Sequence, residues 1–255
     1  MVRTTAPLGA ILLASCVGSG TSEPPIPTSP QEVTASDAPT SVAVSPTTVT
    51  ATTAPVDVPV ETGAGVVSVP PGQPVVIDGV LGEREWDGAV AFEMSDGATL
   101  WLMYTGETLY VAVEGIDLGA VNVVIGTVDK ISILHSSAAL GSALYEPGLA
   151  EWDLAHGFRW CCRDRNDDAA RLDLLAEEGW QANIGYTGTA GIVEYEIAIP
   201  WRGASMAVSS IRSADDTGFW PLELSASARE QLLGAPPDTR SYDTSAWYTI
   251  EPGNN

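Results

Sequence analysis

The stretch VVIDGVLGEREWDGAVAFEMSDGATLWLMYTGETLYVAVEGI, residues 75–116, decides the fold. In Leu109–Glu114, Leu109, Val111 and Val113 share one face, and Tyr110, Ala112 and Glu114 share the other. A period of two marks an antiparallel strand with one buried face. Just upstream, Thr105-Gly106-Glu107-Thr108 suits a tight hairpin turn, because Gly106 can take positive φ without a Cβ clash. The stretch therefore predicts a short strand, a turn, a Trp-bearing segment and then a β-hairpin.

Further along, Val121–Gly126 and Asp129–Ser136 are candidate strands. Ser137–Tyr145 is rich in Ala and Leu and fits a strand or a short helix; Phe158–Arg163 fits a strand edge or a loop. Trp180–Thr187 and Ile192–Pro200 read as a second hairpin joined through Gly188–Gly191. In its second strand Val193, Tyr195, Ile197 and Ile199 face one way, Glu194, Glu196 and Ala198 the other, and Pro200 ends the run. Thr217–Ser225 and Ser241–Ile250 are expected to close the sheet. Many short strands with turn signals between them predict an all-β protein: an antiparallel β-sandwich, immunoglobulin-like or jelly-roll-like.

Two blocks carry a family resemblance. Ile77-Asp78-Gly79, Glu85-Trp86 and Thr108-Leu109-Tyr110-Val111-Ala112-Val113 resemble the opening of family 9 carbohydrate-binding modules and the related DOMON domains. Glu194-Tyr195-Glu196-Ile197-Ala198-Ile199-Pro200-Trp201 resembles their late strand. The resemblance implies a β-sandwich that binds a saccharide or glycan or, in some DOMON branches, haem. The middle of the domain, residues 115–179, departs from the family pattern, so the fold carries over better than the site.

The chain start has a different character. Arg3 precedes the apolar run Leu8–Ala14, which is too short to span a bilayer. The run ends in Leu13-Ala14-Ser15-Cys16, which resembles the lipobox of bacterial lipoproteins. Residues 1–16 are therefore expected to be a lipoprotein signal peptide, with Cys16 the lipidated residue that anchors an exported protein to a bacterial membrane. Residues 17–74 are rich in Thr, Pro, Ser, Val and Ala and hold no aromatic, Lys, Arg or His residue. Such a segment cannot bury enough apolar surface to offset its ordering entropy, so a disordered linker is expected there. Residues 75–255 remain for the sandwich, facing the periplasm or the cell exterior.

The formal net charge is −22, from 11 Lys and Arg against 33 Asp and Glu. This field repels phosphate backbones and argues against nucleic acid as a partner. No Gly-x-Ser-x-Gly elbow, P-loop or HExxH is present, so no catalysis is expected.

Eight Trp is a generous number, and a sugar's flat C–H face stacks on an aromatic ring; ordinary core packing is the other reading for each. Trp86 and Trp201, inside the family-like blocks, are assigned to packing. Trp101, Trp152, Trp160 and Trp180 are the candidates for ligand stacking. Cys161 and Cys162 are adjacent, and with Cys16 lipidated they have no other partner in the chain. They form either a vicinal disulfide, a rigid platform beside Trp160, or two free thiols. Asp164, Asn166 and Asp168 have the spacing of a calcium loop's first ligands, but Ala169 and Leu175 stand where such a loop needs Gly and Glu. Only a looser structural Ca²⁺ site remains as a reading. His135 shares a strand face with Ile131 and Ile133 and reads as a satisfied core histidine; in the DOMON alternative, Met94, Met103 and His135 are the residues that could supply an axial Met–His pair, without a residue-by-residue match to a haem motif. A structural or protein-interaction module of the envelope is the other alternative.

Overall fold

The computed structural model describes residues 65–162, 167–233 and 239–253. The expected signal peptide with Cys16, most of the expected linker, and Asp164 and Asn166 lie outside the described residues.

The first strands are β1 (Val66–Val69), β2 (Val90–Glu93), β3 (Thr99–Thr105), β4 (Thr108–Ile116) and β5 (Ala120–Gly126). Next come β6 (Ile131–Ser136), β7 (Leu140–Pro147) and β8 (Trp152–Cys161), then helix α1 (Asp168–Glu178). The chain continues through β9 (Trp180–Thr187), β10 (Ala190–Ile197), β11 (Ala204–Ser213), β12 (Asp216–Trp220) and helix α2 (Ala226–Gln231). It closes with β13 (Thr239–Arg240), a 3₁₀ turn (Thr244–Ala246) and β14 (Tyr248–Pro252). Among the described residues no helix is long and apolar enough to cross a membrane.

These strands form two sheets. The larger runs β1-β14-β11-β5-β6-β7-β8-β13, with β12 also beside β11; the smaller runs β2-β3-β4-β10-β9. Every pairing between named strands is antiparallel except β1 with β14. The architecture is an all-β sandwich. Both hairpins read from the sequence are present. Thr105 opposes Thr108 across Gly106-Glu107, with Gly106 at φ 59°. Thr187 opposes Ala190 across Gly188-Thr189, so the second turn is tighter than expected.

The inner faces supply the main core, with Leu100, Leu109, Val111, Val113, Val121, Val123, Val193, Tyr195 and Ile197 all at 0% exposure. Both outer faces are covered too. Residues 70–89 fold over the small sheet, where Val75, Ile77 and Trp86 meet Met103, Tyr110 and Ala112. Residues 219–233 and 242–247 fold over the large sheet, where Phe219, Leu224, Ala228, Leu232 and Trp247 meet Val124, Ile131, Ile133 and Tyr145. This double covering explains why central strands such as β5 are buried at every position. A strand buried on both sides loses its polar alternation.

The structure departs from expectation in two places and resolves an alternative in a third. Strand β1 lies inside the expected linker: Val67 and Val69 point inward while Val66 and Ser68 face out, so the sandwich begins well before residue 75. Of the two readings of Ser137–Tyr145 the strand is present, as β7, and the strand expected only at Phe158–Arg163 is the end of the ten-residue β8. Helix α1 is additional. Asp167 caps its first turn by accepting from the Ala170 N–H at 3.0 Å, and Gly179 ends it at φ 76°. An Asp cap and a left-handed Gly are the ordinary start and stop signals of a helix.

Candidate functional site

The structure separates the four candidate tryptophans. Trp180 is 1% exposed, stacked on Tyr195 inside the main core, so burial removes it as a stacking platform. Trp101 is half-buried on the outer face of the small sheet, against the cover of residues 70–89. Trp152 and Trp160 both lie on β8, on the outer face of the large sheet. Of the remaining four, Trp86 is at 8%, Trp201 at 1%, Trp220 at 2% and Trp247 at 1% exposure. Trp160, at 54%, is thus the one indole that offers an open ring to solvent.

Trp160 is held by its neighbours rather than loose on the surface. It opposes Gly141 on β7, which in turn opposes His135 on β6. Gly141 must be glycine here: an added Cβ would lie 2.7 Å from the Phe158 ring and 3.1 Å from the Trp160 ring. Phe158 and Trp160 lie over that bare backbone with ring centroids 5.0 Å apart and planes 31° from parallel. His135 meets both edge-on, at 5.7 Å and 5.4 Å.

The polar row behind the rings fixes the imidazole. Asn122 Nδ2 donates to the Leu232 carbonyl at 2.9 Å and to Ser209 Oγ at 3.1 Å. Asn122 Oδ1 is therefore the acceptor for His135 Nδ1–H at 2.7 Å. His135 Nε2 is then an acceptor, 3.0 Å from the Ser137 hydroxyl. Burial lowers the His135 pKa to about 4, so the ring is neutral at physiological pH. Both nitrogens are occupied, which makes His135 a satisfied structural histidine with its ring edges turned to Phe158 and Trp160. The same network pins the C-terminal end of α2 to the sheet through Leu232.

At the other end of β8 the β7–β8 turn and Tyr242 form a cleft of about 300 Å³. Trp152 and Tyr242 line it together with Glu151 and Ser241. Tyr242 is itself held edge-on by Tyr145, at 5.2 Å, and by Trp247, at 5.9 Å.

The opposite face of β8 belongs to the core. Cys161 pairs with Leu140, and both cysteines pack against the inner cluster. They are joined as a vicinal disulfide, but strand alternation turns Cys161 away from the Trp160 side, so the expected shared platform does not form. Glu178 of α1 accepts from Ser142 Oγ at 2.6 Å and lies 3.5 Å from the Arg159 guanidinium. Asp168 is paired with the buried Arg171 at 2.6 Å. Among the described residues no group of three or more His, Cys, Asp or Glu is placed to hold a metal ion. For the haem alternative, Met94 and Met103 are both in buried clusters, at 1% and 0% exposure.

The residues of the two family-like blocks meet in a clasp the sequence did not reveal. Glu194, at 0% exposure, accepts from the Gly79 N–H at 2.8 Å, the Asp78 N–H at 3.2 Å and Trp86 Nε1 at 3.1 Å. Gly185 lets the loop approach so closely that an added Cβ would sit 2.1 Å from the Gly79 carbonyl oxygen. Burial raises the Glu194 carboxyl to about 7, against the opposing pull of its three hydrogen bonds. The motif residues thus fasten the cover of residues 70–89 to β10; they hold the fold and do not line an open surface. The period-two reading could have flagged Glu194, a carboxylate in a strand whose neighbours are apolar, but not its partners 108 to 116 residues away.

No family model, no curated protein and no solved structure matches the chain.

Proposed function

We propose that this protein is a non-catalytic saccharide-binding module, exported and lipid-anchored at the bacterial cell envelope through Cys16. The observation that carries the binding reading is Trp160: 54% exposed, yet fixed in orientation by Phe158, His135 and the bare backbone of Gly141. A large aromatic normally contributes most when buried. A rigid ring left open to solvent suits a ligand with a flat C–H face, because little side-chain entropy remains to be lost on binding. The resemblance of the two motif blocks to family 9 carbohydrate-binding modules supports the same reading. The envelope placement rests on residues 1–16 alone.

A thermal-shift screen of the full chain against a panel of neutral mono- and oligosaccharides, with and without Ca²⁺, tests this. A ligand at about 100 times its Kd adds ~2.7 kcal/mol of stability, enough to raise Tm visibly. Trp160→Ala is expected to abolish the shift while leaving the unliganded Tm in place. An absorption spectrum after haem addition belongs to the same experiment. A haem band with no saccharide shift would replace the proposal with the DOMON-type reading, and neither signal would favour an envelope interaction module.

A further inference from the structure

Strand β8 carries aromatic side chains at both ends of one face. Trp152, Leu154 and Phe158 all pack on the outer cluster of the large sheet, and Trp160 continues that row opposite Gly141. Trp152 and Trp160 are eight residues apart, roughly 20–25 Å along a strand shortened by bulges. Between them stand Ala155, His156 and Gly157, all exposed, two of them among the smallest residues. Leu154 and Phe158, both half-buried on the same face, give the stretch between the Trp152–Tyr242 cleft and the Trp160 ring an apolar floor.

Among the described residues the far edge of β8 is paired only at its Trp152 end. Strand β13 pairs only with Trp152 and Asp153; beyond them no strand among the described residues covers the edge. The N–H and C=O groups of a strand edge supply both donors and acceptors, which is what a run of sugar hydroxyls requires. The edge is poorly built for an added peptide strand. Between Ser142 and Leu144 of β7, β8 advances from Arg159 to His156, and between Leu144 and Tyr145 it advances from His156 to Leu154. Each step inserts one extra residue into β8. Such bulges break the regular spacing that a continuous strand partner needs. The net charge of −22 disfavours an anionic polymer.

We propose that the outer face of β8 is one extended binding track for a neutral saccharide chain of several units, stacked at one end on Trp160 and at the other in the Trp152–Tyr242 cleft. This rests on the saccharide-binding reading and adds the ligand's form: an internal stretch of chain rather than a single terminal sugar.

Calorimetric titration of the full chain with cello-, xylo- and manno-oligosaccharides, from monosaccharide to hexasaccharide, tests the length. Affinity is expected to rise about ten-fold or more between disaccharide and hexasaccharide, as the second aromatic station becomes reachable. Trp160→Ala and Trp152→Ala should each return the hexasaccharide to the affinity of a short ligand. Gly157→Ile guards against a fold defect in the half-buried Trp152 variant. Gly157 lacks a left-handed φ, and its added Cβ would meet only Leu154 Cδ2 at 3.7 Å. A bulky side chain there should block a continuous chain and leave disaccharide binding unchanged. Equal affinity for monosaccharide and hexasaccharide would overturn the track while sparing the saccharide reading. Full hexasaccharide affinity in Gly157→Ile would do the same. Displacement of bound hexasaccharide by a strand-forming peptide of unrelated sequence would reassign the edge to protein partners. Binding of none of the sugars would remove the saccharide reading itself.

Discussion

Glu194 is the residue whose removal should cost the fold most for its size. Its carboxyl oxygens accept from three donors, Gly79 N–H, Asp78 N–H and Trp86 Nε1–H, at a site with no solvent exposure. In Glu194→Ala these lose their acceptor in the interior, at ~1–3 kcal/mol for each donor left buried. Some of that is recovered because Asp78 N lies near the edge of the buried zone. A net loss of about 3–5 kcal/mol is expected, a large fraction of a domain's stability. Glu194→Gln is the finer probe. Its amide oxygen can keep the Asp78 and Gly79 N–H groups that share Glu194 Oε2, leaving its NH₂ facing Trp86 Nε1–H; one hydrogen bond is lost and about 1–2 kcal/mol with it.

The two variants also differ from wild type in pH dependence. Burial raises Glu194 from its ordinary 4.5 to about 7. A carboxyl raised on folding supports the folded state fully below pH 4.5 and loses that support as pH climbs through about 7. The displacement corresponds to roughly 3 kcal/mol. His135 acts in the opposite sense over an overlapping window: lowered to about 4, it costs stability as pH falls below its ordinary 6.5. The wild-type curve alone is therefore not diagnostic, and the difference between wild type and Glu194→Gln is. Urea unfolding followed by Trp fluorescence at pH 5 and pH 8 measures it. Wild type should lose ~2.5 kcal/mol more across that interval than Glu194→Gln does. Parallel losses in the two proteins would refute the buried, titrating clasp, and a Glu194→Ala protein within about 1 kcal/mol of wild type would refute its structural role.

Two further outcomes follow from burial. Trp180→Ala should cost ~3–5 kcal/mol in the same unfolding assay, whereas Trp160→Ala should stay within about 0.5 kcal/mol because its ring is largely exposed. Equal losses would mean that the two indoles are not divided between core and surface as described. His135 should show no change of charge between pH 5 and pH 8 when its imidazole is followed by NMR, with a midpoint near 4. A midpoint near 6.5 would mean the ring is solvated and the Asn122–His135–Ser137 row is not formed.

Local pattern carried much of the architecture. The alternation in Leu109–Val113 and Val193–Ile197, with glycine in each turn, was enough to read two hairpins of the small sheet. Strand β5, buried at every position, could be placed but not oriented, because an all-apolar run has no period. Helix α1 was missed although its Asp cap and Gly stop are legible, since the acidic run before it competed as a metal loop. Of the four candidate tryptophans, sequence context could not distinguish Trp160, open over Gly141, from Trp180, locked against Tyr195. Both sit in strands beside polar residues, and exposure depends on what the sheet faces.

Taken alone, the sequence determined that this is an all-β protein, which segments pair as hairpins, and that its net charge is −22. Those properties are set by residues within a few positions of one another or by simple sums over the chain. Only the tertiary structure decided that Glu194 fastens the opening motif, and that Cys161 faces the core while Trp160 faces out. It also decided that Trp152 and Trp160 share one face. These depend on contacts between residues as much as 116 positions apart and on two bulges that reset the facing of β8. Strand periodicity predicts which residues alternate, but the side that is buried is chosen by the layer that packs on it.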